Sequence, residues 1–95
     1  MLVHGQALEQ HTQNPIPYAK IELISLSEIN GSVEMTVFAE AETDAQGNFK
    51  LGYEDKDFRT YYLRPSKDGY SRPFDVQVSG EVWEEATVFL SGAVQ

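Results

Sequence analysis

Cysteine is absent from this 95-residue chain, which excludes a disulfide framework, a thiolate metal site and a cysteine nucleophile. No apolar run approaches the roughly 18 residues that a membrane-crossing helix needs, so no membrane insertion is expected. The first residues carry no charged-then-apolar leader of the signal-peptide kind. Basic side chains are scarce, seven against fifteen acidic ones, for a formal charge of −8. A surface of that sign repels phosphate backbones and anionic headgroups, so nucleic acid is not an expected partner. No stretch of helical length shows a 3.6-residue apolar stripe. Serine in a strained elbow, a glycine-rich phosphate loop and a catalytic carboxylate pair are all missing.

What is present is an ordinary folded composition, 41% hydrophobic and 12% aromatic. The length suits one domain, residues 1–95, with a modest core. The acids are scattered rather than gathered in a tail, as expected of a solvated exterior. The most informative stretch is Thr43-Asp44-Ala45-Gln46-Gly47-Asn48-Phe49-Lys50-Leu51. Asp44 can accept from backbone two residues on, Gly47 tolerates positive φ, and Phe49 and Leu51 then alternate with polar neighbours. It reads as a turn closing a hairpin. Asn30-Gly31 is a second hairpin signal.

Strand periodicity runs through the chain. Val3, Gly5 and Ala7 alternate with His4 and Gln6, and Ala19, Ile21 and Leu23 with Lys20 and Glu22. Val33, Met35, Val37, Ala39 and Ala41 alternate with Glu34, Thr36, Glu40 and Glu42. Further strands are expected at Phe49–Tyr53, at Arg59–Ser66, around Phe74, Val76 and Val78, and around Ala86, Val88 and Leu90, with a polar loop at Glu54-Asp55-Lys56-Asp57. Seven short strands at about 12-residue spacing predict an all-β, seven-stranded antiparallel sandwich of two sheets. The predicted inward set is Val3, Ala7, Ile21, Leu23, Val37, Ala39, Ala41, Phe49, Leu51, Tyr61, Leu63, Phe74, Val76, Val78, Val88 and Leu90.

Three blocks resemble a known family. Pro15-Ile16-Pro17-Tyr18-Ala19-Lys20-Ile21 is similar to a Pro-Leu-Pro-Gly-Ala-x-Val opening, and Thr43–Leu51 to a Thr-Asp-x-x-Gly-x-Phe-x-Leu turn. Tyr61-Tyr62-Leu63-Arg64-Pro65-Ser66-Lys67-Asp68-Gly69-Tyr70 is similar to a Tyr-x-Leu-x-Val-x-x-x-Gly-Tyr strand and turn. In this order the blocks resemble the carboxypeptidase regulatory-like domain, a transthyretin-like (prealbumin-like) Greek-key sandwich. Tyr18 replaces the family's usual glycine and Pro65 its usual β-branched residue. The resemblance implies a non-enzymatic accessory module of an exported or cell-surface bacterial protein, extracytoplasmic, without cofactor, working against a neighbouring domain or protein partner.

Each candidate chemistry has a plainer explanation. His4 lies on a polar strand face and His11 in the loop beyond; with Glu9 they lack evident tetrahedral geometry, so no metal site is expected. Hydroxyisourate hydrolase shares the transthyretin fold, but its Tyr-Arg-Gly-Ser ending is missing from Leu90-Ser91-Gly92-Ala93-Val94-Gln95. Isopeptide-forming Cna B-type domains need a buried acid, and Pro65 stands in the matching position, leaving Lys20 as a surface lysine. Asp44–Asn48 has one carboxylate where a calcium loop would start and no bidentate glutamate to close it. The aromatic residues that break the alternation are better clues: Phe38, Tyr62, Tyr70, Trp83 and Phe89 are the candidate interaction surface. A second reading is a carbohydrate-binding module in which Tyr62, Tyr70 or Trp83 stacks on a sugar ring.

The third strand, Val33–Glu42, is long and free of Pro and Gly, so it is the expected point of self-association. Its acids oppose a tight pair. The expectation is a monomer in dilute solution, with weak two-fold pairing near Phe38. Sedimentation at high protein concentration checks this, and a tight dimer surviving Phe38→Glu contradicts it.

Overall fold

Asn30 (φ 53°) and Gly31 (φ 81°) are both left-handed, the geometry of a two-residue turn whose twist matches that of the strands it joins. They connect β2 (Lys20–Ile29) to β3 (Ser32–Glu42), which pair antiparallel with Ile29 opposite Ser32. The computed structural model describes residues 1–54 and 60–92 and contains eight strands there. The others are β1 (Leu2–Glu9), β4 (Asn48–Gly52), β5 (Tyr61–Ser66), β6 (Tyr70–Ser71), β7 (Val76–Val78) and β8 (Trp83–Gly92). One sheet has the order β4-β1-β8-β6 and the other β3-β2-β5-β7. The polar loop expected after Glu54 falls, from Asp55 on, outside the described residues, as do Arg59 and Ala93-Val94-Gln95.

The two-sheet sandwich is present, with corrections to the sequence reading. There are eight strands rather than seven among the described residues, because a two-residue strand, Tyr70–Ser71, precedes the expected sixth, which is shortened to Val76–Val78. Phe74 lies between these two short strands, in neither, and is 48% exposed rather than inward. The sheets are not wholly antiparallel: β1 and β8 run parallel through eight residue pairs, Leu2↔Trp83 to Glu9↔Leu90. Finally, the Thr43–Gly47 turn does not close a hairpin. It carries the chain from β3, paired with β2, across to β4, paired with β1.

Local bonds explain that crossing. Asp44 Oδ1 accepts from the N–H groups of Gln46 and Asn48, both at 2.9 Å, which makes the tight turn self-contained. Gly47 (φ 79°) then lends its carbonyl to Ala7 N–H of β1 at 2.8 Å. On the other side the buried Thr43 holds the start of β2. Its hydroxyl accepts from Ala19 N–H and donates to Ile16 C=O, each at 2.8 Å. Its backbone N–H donates to Ala19 C=O, and its carbonyl accepts from Tyr18 N–H.

The core between the sheets contains Val3, Ala7, Ile21, Leu23, Phe49, Leu51, Tyr61, Leu63, Val78, Val88 and Leu90, as expected from the alternation. Ala39, Ala41 and Val76 pack against it. Ile16, Ala19, Tyr53 and Ala86 complete it. Val37 is excluded, being 42% exposed, because the register shifts between Leu23 and Ile24: Leu23 faces Ala39 and Ile24 faces Val37, leaving Phe38 as an extra residue. A bulge of this kind inverts the alternation beyond it. Ala39 and Ala41 thus point to the core, whereas Val33, Met35 and Val37 fall on the outer face.

Three variants test this packing by thermal or denaturant unfolding. Leu63→Ala should cost about 2–5 kcal/mol, and Val37→Ala less than about 1 kcal/mol. At Gly5 an added Cβ would sit 1.5 Å from the Ala86 carbonyl oxygen, so Gly5→Ala should cost about 3 kcal/mol or more. Acid supplies a further test. Glu9 accepts from His11 and Thr12 N–H, both at 3.0 Å, and from Gly92 N–H at 3.1 Å. The Gly92 bond above all holds its carboxyl below the ordinary glutamate value. A depressed folded-state pKa means stability that is present above the unfolded value and lost as pH falls through the folded one. Glu9→Gln should therefore remove part of the stability lost below about pH 4, read as the unfolding midpoint against pH.

Candidate functional site

Two surfaces stand out once the bulge is taken into account. The first is the outer face and free edge of the β3-β2-β5-β7 sheet. Among the described residues β3 has β2 on one side and no strand on the other. Val33 is 70% exposed and Met35 46%, so with Val37 and Leu26 they form an apolar band on that face. Arg64 anchors it: Nε and Nη2 donate to the Asp75 carboxylate at 3.1 and 2.8 Å, while Nη1 meets Met35 Sδ at 2.8 Å. The paired bonds to Asp75 push the guanidinium further up from its already high value. Ile24 lies on the same face by register with Tyr62 and Val37, yet is fully buried and outside the core cluster.

The second surface is an open cleft of about 470 Å³ where the β1–β2 connection meets the β5–β6 turn. Buried Pro65 and Leu90 belong to its lining. Tyr18 and Tyr70 line it together with Lys20, Lys67 and Arg72, three of the seven basic residues of an acidic chain. Lys67 Nζ donates to Pro17 C=O and so ties the two segments together. Arg72 meets Asp75 through Nε at 3.2 Å, leaving its terminal N–H groups for other acceptors. Asp68 is the acid on the lining.

Tyr18 is unusual within this cleft. Its φ is 56° and it is 61% exposed. A left-handed conformation costs an L-residue roughly 1–2 kcal/mol and is seldom adopted by bulky side chains. The Thr43 bonds to Ile16, Tyr18 and Ala19 impose it.

The structure does not gather the five aromatics named from sequence. Phe38, at the bulge, meets Tyr61 edge-on at 5.3 Å and stays 41% exposed. Tyr62 lies on the outer face of its sheet, and Tyr70 in the cleft. Trp83 packs on His4 at 4.6 Å, and Phe89 on Phe74 at 6.1 Å, towards opposite ends of β8. Among the described residues no group of three His, Asp or Glu is placed to hold a metal ion. His11 Nε2 lies 3.4 Å from Ser91 Oγ. Lys20 is a surface lysine, 3.7 Å from Glu22 and 3.6 Å from Glu40. Sequence reasoning missed Met35 and Val37 as surface residues, and missed Tyr18, Lys20, Lys67 and Arg72 as neighbours. For Tyr18 a signal existed, an aromatic residue where the resembled family has glycine.

No family model matches the sequence, and no curated protein does. Solved structures do. The chain is similar to the pilus 2b backbone protein of group B streptococcus, with TM-score 0.65, 19% identity, 97% of this chain and 41% of that one. It is similar to an alternative pilotin from the type II secretion system of Vibrio cholerae, with TM-score 0.61, 15% identity, 100% of this chain and 98% of that one. A 9R-lipoxygenase from Cyanothece matches over 92% of this chain and 16% of its own, with TM-score 0.60 and 17% identity. The chain thus spans less than half of the lipoxygenase and of the pilus backbone protein. At these identities the likeness is one of fold, an all-β sandwich. No helix among the described residues is long and apolar enough to cross a membrane.

Proposed function

We propose that this chain is a non-enzymatic structural and interaction module of an extracytoplasmic protein, carboxypeptidase regulatory-like in type, with a transthyretin-like Greek key. It works by strand pairing through the free edge of β3, and its partner is a second copy. The observation that carries this reading is the edge itself. Eleven residues, Ser32–Glu42, form a strand with neither Pro nor Gly, and every residue is exposed or half-buried. Proteins ordinarily blunt such edges because their unpaired N–H and C=O groups template further strands. Pilus and secretion-system neighbours in fold support a surface setting.

Charge selects the register. An antiparallel pair with its two-fold axis at Phe38 sets Glu34 against Glu42, and an axis at Val37 sets Glu34 against Glu40. Like charges placed opposite are destabilising. An axis at Met35 sets Glu34 against Thr36 and Val33 against Val37, joining the two apolar bands. It also leaves the Phe38 bulge outside the paired stretch in both copies, where Val33–Val37 gives a ladder about 17 Å long. A single strand pair buries less than the roughly 1,200 Å² of a stable interface. Each copy also carries −8, so pairing is weak and strengthens as salt screens the repulsion.

The absence of cysteine makes a direct test available. Met35→Cys should form an oxidised dimer faster than Val82→Cys, whose parent residue is 78% exposed at another site. Sedimentation at high protein concentration should show association that grows with salt and disappears in Met35→Glu. Equal cross-linking of the two cysteine variants, or a monomer at every salt concentration, would rule the pairing out.

A further inference from the structure

We propose that the cleft between Tyr18 and Tyr70 is a binding site for an anionic sugar of the hexuronate type, a pyranose ring bearing a carboxylate. The inference is independent of strand pairing through β3, which lies on another part of the molecule.

Three observations converge on it. The cleft is of ligand size at about 470 Å³. It collects Lys20, Lys67 and Arg72 in a chain whose net charge is −8. Asp68 shares the lining, and Lys20 and Arg72 already meet Glu22, Glu40 and Asp75. Lys67, bonded to a carbonyl, is thus the lining cation without a carboxylate partner among the described residues. A cation left uncompensated in this way attracts an anionic group. Its cations are held rather than loose: Lys67 is fixed on Pro17 C=O and Arg72 on Asp75. Each keeps donors in reserve, since an ammonium has three and a guanidinium five.

The third observation is Tyr18. Backbone in a sparsely populated region persists where the surroundings over-determine it, and it clusters at sites of function. Here the Thr43 bonds fix the backbone, and glycine would satisfy them without strain. The tyrosine ring is exposed, so core packing does not explain its presence. An exposed planar ring beside a second tyrosine, with Pro65 and Leu90 also on the lining, presents an apolar platform with polar tips. Free phosphate would use the cations and ignore the rings. A uronate uses both: its C–H face lies on Tyr18 or Tyr70 while its carboxylate reaches Lys20, Lys67 or Arg72.

The test is titration of the whole chain with trigalacturonate, followed by amide chemical shifts, beside maltotriose, hexaglutamate and inorganic phosphate. Trigalacturonate should bind with a dissociation constant on the order of 1 mM and shift residues around Tyr18 and Lys67. Maltotriose, hexaglutamate and phosphate should bind at least about tenfold more weakly. Tyr18→Gly is the decisive variant. It should weaken trigalacturonate binding about tenfold while its unfolding midpoint stays at or above the parent's, because the strain is relieved. Joint Lys20→Gln and Arg72→Gln should lower affinity by a similar factor and flatten its salt dependence. Hexaglutamate or phosphate binding as tightly as trigalacturonate would overturn the proposal in favour of a bare charge site. So would unchanged affinity in Tyr18→Gly, or a lowered midpoint, which would make the ring a packing element.

Discussion

One buried hydroxyl organises this molecule. Thr43 Oγ1 accepts from Ala19 and donates to Ile16, while the Thr43 backbone exchanges bonds with Tyr18 and Ala19. These contacts join the start of β2 to the end of β3 at the point where the chain leaves one sheet for the other. A buried polar group is worth keeping only when its hydrogen bonds are made, and here the hydroxyl both donates and accepts. The same bonds hold the peptide of Tyr18 in its left-handed turn, and Lys67, bonded to the Pro17 carbonyl next to it, ties this connection to the β5–β6 turn. The crossing between sheets and the position of Tyr18 in the cleft therefore depend on the same few atoms.

Much of the fold was legible because local chemistry and global structure agree. Asn30-Gly31 occurs where the strand twist demands a left-handed pair, and the alternation of Ile21, Leu23, Tyr61, Leu63, Val88 and Leu90 reports a core face. The failures are equally physical. Alternation along β3 reads as one continuous face from Val33 to Ala41, and a single extra residue at Phe38 divides it. Nothing in the local sequence marks a bulge. Thr43–Gly47 was correctly read as a turn, but a turn's residues do not say which sheet receives the strand that follows. That depends on Ala7, roughly 40 positions earlier in the chain, whose N–H takes the Gly47 carbonyl.

The candidate sites were less legible for a related reason. Strand parity sorts residues into faces, and aromatics on polar faces become candidates. The cleft is not a face. It is assembled from the turn before β2, the end of β5 and the segment around β6, whose contributions meet only in three dimensions. The bulge likewise turns Phe38 towards Tyr61 while leaving it 41% exposed, and it places Met35, which was not named, on the surface as well. Both departures visible from sequence, Tyr18 in the place of a glycine and Pro65 in that of a β-branched residue, lie on the lining of this cleft.

The parallel pairing of β1 with β8 also has a mechanical meaning. Leu2 lies beside Trp83 and Glu9 beside Leu90, so the first and last strands run side by side in the same direction. Tension applied between Leu2 and Gly92 is directed along both strands, and it loads the eight paired positions together instead of peeling them open one at a time. In such a lap joint the ladder yields by shear, and its strength grows with the length of the overlap. A module joined to neighbours through these two strands would transmit pull across its longest inter-strand seam in that sheet.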